Sequence, residues 1–223
     1  MNECTKSKRY WGELEMRAIS GVGIDIGCGP DPVTPTARGF DINDGDANVI
    51  TQFVHERFDF VFSSHCLEHM HDPFAALNEW WQLVKPGGYL FILVPDEDLY
   101  EQGVFPSRFN SDHKATFTLS KAQSWSPRSV NVLDLAKSLN GGKIISLQLQ
   151  DRGYDRSIMS FGSKKTNPLV KIYAKIYRLF GRFMTSETKE GLRRYIATYY
   201  PIDQTSASFD AQAQIQLIVQ KIS

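Results

Sequence analysis

Residues 58–96, FDFVFSSHCLEHMHDPFAALNEWWQLVKPGGYLFILVPD, hold the reading that decides the fold. Phe58–Ser64 is apolar and aromatic enough to form a strand buried on both faces. Pro73 suits the first turn of a helix, where a missing N–H costs nothing. Phe74, Leu77, Trp81 and Val84 follow at helical spacing, so one face of that helix is expected to be apolar. Lys85-Pro86-Gly87-Gly88 ends it, and Tyr89–Asp96 reads as the next buried strand. Strand, helix and strand with apolar runs predict a parallel sheet.

Working outward, Lys6 to Ile19 has helical character, and Val22, Ile24 and Ile26 alternate as a short strand ending at Gly27. Pro30, Pro32 and Pro35 then stand too close together for a regular helix. GFDI around Asp41 reads as a second strand, and Val49 to Val54 as a helical turn. Further on, Ser126 to Leu139 reads as a helix closed by Gly141-Gly142, before a strand at Ile144 to Leu149. From Phe209 to Ile222, Ala211, Ala213, Ile215 and Leu217 alternate with glutamines, the pattern of a half-exposed strand suited to antiparallel pairing. The expectation is one α/β domain over residues 1–223, doubly wound, with a mostly parallel sheet and an antiparallel last strand. A helical extension covers residues 1–19, and a helical insertion or lid covers about 155–206, between the last two strands.

Of the 223 residues, 42% are hydrophobic and 22% charged, ordinary globular proportions that exclude global disorder. The formal net charge is zero, so no overall field draws the chain to nucleic acid or anionic lipid. Cys4, Cys28 and Cys66 form no disulfide framework, which points to a reducing compartment. Met1 to Ser20 has no apolar signal core, and no stretch has the length to cross a bilayer; a cytoplasmic location is expected.

The glycine turn after the first strand separates two kinds of nucleotide-like ligand. Gly27-Cys28-Gly29 lets a ligand approach the backbone closely. A dinucleotide site would need a third small residue at position 32 and a helix N-terminus for pyrophosphate, whereas Pro32 stands there. A ligand without phosphate loses little by that change.

GVGIDIGCGP, residues 21–30, resembles the first motif of class I methyltransferases, and residues 58–96 resemble their middle block. The LEH, the following DP and the LVKPGG before an apolar strand are similar to the broad group called type 11 methyltransferases. The resemblance covers about residues 20–97. It implies a Rossmann-like domain that uses S-adenosylmethionine and releases S-adenosylhomocysteine. Carried over by motif, Asp25, Gly27, Cys28 and Gly29 would line the cofactor and Asp41 would hold the ribose hydroxyls. Asp46 and Ala47 would meet the adenine, and Ser64, His65 and Cys66 would lie near the sulfonium. The short proline-rich link leaves Asp44 as a rival to Asp41.

Methyl transfer is an in-line displacement, in which positioning supplies roughly 7–11 kcal/mol. A general base adds about 10²–10⁴-fold for a hydroxyl acceptor. His65, His69, His71 and His113 fall on the sheet edge where ligands bind, with His113 and His65 the candidates for a base. His69 and Glu68 read as structural, and Lys114 and Arg108 as groups that could orient an acceptor. The spacing His65-x-x-Glu68-His69, with His113 beyond it, is similar to that of metal-dependent small-RNA 2′-O-methyltransferases, but the first position is His where they carry Glu. Spacing alone assigns no metal ligand here.

Between Lys164 and Arg194 nine Lys or Arg face two Glu, a local charge of +7. Leu169, Ile172, Tyr173, Ile176, Phe180 and Phe183 recur at helical spacing, while Lys171, Lys175, Arg178 and Arg182 share another face. The expectation is a lid or dimer helix that packs its aromatic face on the domain. The alternative is a surface that captures an anionic or lipid-linked acceptor, in transient contact with a membrane. Residues after Asp96 are loosely similar to methyltransferases of bacterial surface-polysaccharide gene clusters, which implies a sugar or glycan hydroxyl as acceptor. Two further readings stay open. One is a catalytically inactive binding subunit. The other is an RNA methyltransferase, which no RNA-binding motif supports.

Overall fold

The computed structural model describes residues 3–162, 168–180, 183–199, 201–206 and 210–222. Six strands form one mixed sheet: β1 (Gly23–Ile26), β2 (Arg38–Phe40), β3 (Phe58–Ser64), β4 (Val84–Pro95), β7 (Gly142–Gln150) and β8 (Gln214–Lys221). Their order is β2-β1-β3-β4-β8-β7. The first four run parallel, with Asp25 opposite Phe62 and Phe62 opposite Phe91. β8 runs antiparallel to both β4 and β7. This is the doubly wound, Rossmann-like arrangement. A parallel pair, β5 (Thr116–Thr118) and β6 (Ser129–Asn131), forms a small second sheet beyond the C-terminal end of β4.

Each face of the sheet carries a core. On one side α3 (Pro73–Gln82) and α4 (Val132–Ser138) cover Ile24, Val61, Leu90 and Leu217. On the other, Phe60, Phe62, Phe91 and Ile218 lie beneath Ala18, Val33 and Trp11. The Asp72 carboxylate starts α3 by accepting from the N–H groups of Phe74 and Ala75, at 2.9 and 3.1 Å. The buried face of α3 is Ala76, Leu77, Trp80 and Trp81, whereas Phe74 is exposed and Val84 already belongs to β4, paired with Phe58.

Several expected elements take other bounds. The helix expected from Lys6 to Ile19 is two short ones, α1 (Glu3–Lys8) and α2 (Glu13–Ala18). Gly12 stands at the break, and Trp11 turns inward there to meet Phe91 at 4.9 Å and Phe62 at 5.8 Å between ring centroids. Val22 lies outside β1 and is exposed. The turn at Val49–Val54 is a kinked 3-10 helix over Ala47–Gln52, capped by Asp46. Ser126–Leu139 is not one helix, because the chain first pairs as β6, and Asn131 then caps α4 through the N–H groups of Leu133 and Asp134.

The last strand departs most from its pattern. β8 lies between two strands, and Ala211–Val219 are all buried. Gln214 and Gln216 are matched by protein groups in place of water, whereas the buried Gln212 Nε2 has no partner among the described residues. The Gln214 amide donates to Ser7 Oγ at 2.9 Å and to Gln150 Oε1 at 2.7 Å, and that of Gln216 to Glu15 Oε1 at 2.9 Å. Phe209, where the strand was expected to begin, lies outside the described residues.

Between β7 and β8 the chain forms α5 (Pro168–Phe180) and α6 (Ser186–Tyr199). The expected packing of the aromatic face of α5 on the domain is not found. Ile172, Tyr173, Ile176, Leu179 and Phe180 are exposed, and Val170 is the one buried side chain among those described in this helix. The reason is that α5 leans on α6, where the rings of Tyr173 and Tyr195 meet edge to face at 5.8 Å. Arg182 of the expected basic face, and Lys164 and Lys165 of the basic segment, lie outside the described residues. Among the described residues no helix is long and apolar enough to cross a membrane.

Candidate active site

The C-terminal ends of β1, β2 and β3 open into a cleft of about 630 Å³, the size range of small-ligand sites. Gly27, Phe40, Asp41, Asp46, Ala47, His65 and Cys66 line it, joined by Ile42, Gly45, Asn48, His69, Met70, Asp112 and Lys114.

The floor is made by glycine. Gly27 has φ +74°, and its N–H donates to the Phe40 carbonyl at 2.8 Å, tying the ends of β1 and β2 together. A Cβ at Gly27 would stand 2.6 Å from that of Cys66. Burial pushes the Cys66 thiol up to about 12, so it remains protonated and packs as a small apolar group. Gly29 donates its N–H to Asp41 Oδ2 at 2.7 Å, and Ile42 donates to Oδ1 at 2.7 Å. Each oxygen keeps acceptor capacity for a diol in the cleft. Asp44 accepts from the Asp41 N–H at 2.8 Å and does not line the cleft, so geometry favours Asp41 over its rival.

The opposite wall is the turn at Asp46. Its carboxylate accepts from the Asn48 side chain and N–H, which hold it below the usual aspartate range. Trp80 Nε1–H donates to the Ala47 carbonyl at 2.8 Å, fixing this wall to α3. Asp25 lies beneath the glycine turn and does not line the cleft. It accepts from the Val33 N–H at 2.6 Å, stapling the proline-rich link, and burial pushes its carboxyl up to about 7. Cys28, Gly29 and Ser64 likewise do not line the cleft.

At the end of β3, His65 turns into the left-handed region, φ +54°, and faces the cleft. Its Nε2 lies 3.0 Å from Gln214 Oε1 and its Nδ1 3.4 Å from Glu68 Oε1. Glu68 is fully buried; burial favours its neutral form, but His65, His113 and His69 together hold it below the usual range. His113 does not reach the cleft: it is buried, its ring is stacked on Tyr100, and its Nδ1 is 2.6 Å from Glu101 Oε1. His69 lies between the two regions, 5.1 Å from His113 by ring centroid, with Nδ1 2.8 Å from Asp112 Oδ2. Lys114 Nζ donates to the His69 carbonyl at 2.7 Å.

Ile42, Asn48, Met70 and Asp112 carry no motif that marks them as cleft residues. The one available signal is Ile42, an apolar residue directly after the strand-ending Asp41, 87% exposed at the lip.

A family described as a methyltransferase domain matches residues 9–139, over half of the chain. The chain belongs to this family and is an S-adenosylmethionine-dependent methyltransferase. The cleft fits that cofactor, with a diol acceptor at Asp41 and a glycine floor against Cys66. No curated protein sequence matches it. Among solved structures, a SAM-dependent methyltransferase from Archaeoglobus fulgidus is 15% identical, with 99% of this chain and 95% of that one covered, TM-score 0.49. Phosphoethanolamine N-methyltransferase 2 of Haemonchus contortus, in complex with S-adenosyl-L-methionine, is 14% identical over 100% of this chain and 53% of that one, TM-score 0.47. Coclaurine N-methyltransferase bound to N-methylheliamine and SAH is 12% identical over 93% and 68%, TM-score 0.47. At that distance they bear on neither substrate nor mechanism.

Proposed function

We propose that the chain methylates a hydroxyl group of a small or glycan-like acceptor. The observation that carries this is His65, which faces the cleft with its two ring nitrogens against Gln214 and Glu68. A hydroxyl must lose its proton as it attacks; with Nε2–H donated to Gln214 Oε1, the lone pair on His65 Nδ1 would take it, and Glu68 Oε1 at 3.4 Å would face the charge that forms. The cofactor supplies a methyl carbon activated by positive sulfur. The acceptor oxygen bonds to that carbon as the carbon–sulfur bond breaks, its electron pair stays on sulfur, and the hydroxyl proton passes to His65. His113, the other candidate base, is buried one layer behind and does not line the cleft.

His69, Asp112 and Lys114 supply polar groups at this end of the cleft, which suits a polyhydroxylated acceptor. The exposed apolar face of α5, beside the basic segment, favours including lipid-linked glycans in a screen. The test begins with calorimetric titration of S-adenosylhomocysteine, followed by turnover on parallel panels of sugars and amines. Turnover on a sugar, lowered about 10²–10⁴-fold in His65→Ala with cofactor affinity kept, is the expected result. Turnover on amines alone would replace the hydroxyl reading. A folded protein that gives no heat would point to a binding subunit instead.

A further inference from the structure

We propose that Glu68, His69 and His113 form a binding site for a divalent transition-metal ion at the acceptor end of the cleft. One ligating atom from each lies within 4.8 Å of the others. Tetrahedral ligands with bonds of about 2.1 Å stand roughly 3.4 Å apart, so side chains now spread over up to 4.8 Å close in by about 1 Å around an ion.

Two independent features ask for a cation here. Glu68 is 1% exposed, and its Oε2 has no hydrogen-bond partner. A buried carboxylate oxygen left without a donor is destabilising, and a cation bound by this carboxylate would relieve it. The second feature is the orientation of His113. In the neutral tautomer that donates Nδ1–H to Glu101 at 2.6 Å, the Nε2 lone pair would lie 4.0 Å from Glu68 Oε1. Two acceptors then face each other across a gap too wide for a hydrogen bond. A carboxylate behind an imidazole is also the arrangement that orients histidine for metal binding. The contact of His69 with Asp112 at 2.8 Å repeats it on the second ring.

Two imidazoles and one carboxylate select an ion of the manganese, iron or zinc class over magnesium or calcium, which prefer oxygen ligands. Of the three ligands only His69 lines the cleft, so an entering acceptor would reach the ion from the His69 side. There it would lower the pKa of an acceptor hydroxyl before His65 takes the proton. This role rests on the methyl-transfer reading above, but the binding does not.

The experiment uses the full chain, stripped with a chelator and titrated with Mn²⁺ and with Zn²⁺ in the absence of cofactor and acceptor. The expected result is one equivalent bound, at least about tenfold weaker in Glu68→Gln and in His69→Ala, and unchanged in His71→Ala. Because Glu68 is buried, melting curves accompany each variant; His69 is half-exposed, so its variant keeps the test open if Glu68→Gln unfolds. No saturable binding by the parent, or equal binding by all four proteins, overturns the site. Full turnover by stripped protein in excess chelator overturns its part in the reaction. S-adenosylhomocysteine titration, run alongside, fails only if the methyltransferase reading itself fails.

Discussion

Asp41 is tied to the protein's own loops, since its two oxygens each take one backbone N–H while it lines the cleft. Asp41→Ala is expected to weaken S-adenosylhomocysteine about tenfold or more by calorimetry, on the ~1.4 kcal/mol scale of a lost charged contact. Gly27→Ala places a methyl group 2.6 Å from Cys66 at a left-handed φ. It is expected to lose about 1–2 kcal/mol to backbone strain alone, with cofactor affinity falling in the same titration. Asp25 governs a pH dependence. Its carboxyl titrates near 7 when folded, against 3.8 ordinarily, so between these values the folded state holds a proton that the unfolded chain has released. The stability it contributes is therefore greatest at the acid end of that window and falls as pH rises to about 7, by a few kcal/mol in all. Asp25→Asn, whose amide oxygen can still accept from Val33, is expected to flatten this fall. Urea unfolding at pH 5 and pH 8 measures it.

At the scale of elements, α3 and α5 make opposite uses of similar apolar periodicity. In α3, Trp80 is fully buried and anchors the Ala47 wall of the cleft. Trp80→Ala is expected to cost about 3–5 kcal/mol in denaturant unfolding. In α5 the apolar residues face outward, so Ile172→Ser and Ile176→Ser are expected to leave the melting temperature nearly unchanged, as at ordinary surface sites. Deleting Leu169–Phe183 is expected to abolish acceptor use while cofactor affinity stays intact, and unchanged turnover by a folded deletion would dismiss α5 from acceptor capture. Helical periodicity in a sequence states that one face is apolar; it does not state what covers that face.

At the scale of the whole molecule, the site exists because parallel strands end together. Gly27, Asp41 and His65 close three different strands, and the sheet order β2-β1-β3-β4 sets them side by side. β8 closes the sheet from the far end of the chain and brings Gln214 against His65, 149 residues away in sequence. The strand–helix–strand block at 58–96, the glycine turn and the acidic residue after the second strand were all legible in the chain, because each is written in neighbouring residues. The broken N-terminal helix was legible too, at Gly12, had the glycine been given its weight. What the chain by itself determined is thus the class of fold, the methyl donor and the strand ends that line the cleft. Only the tertiary structure decided that Gln214 and Gln216 of β8 are buried, that α5 turns its apolar face outward, and that Glu68 and His113 converge with His69 at the end of the cleft. Periodicity and turn chemistry act over a few residues, whereas burial and convergence depend on which distant segments the closing sheet brings into contact.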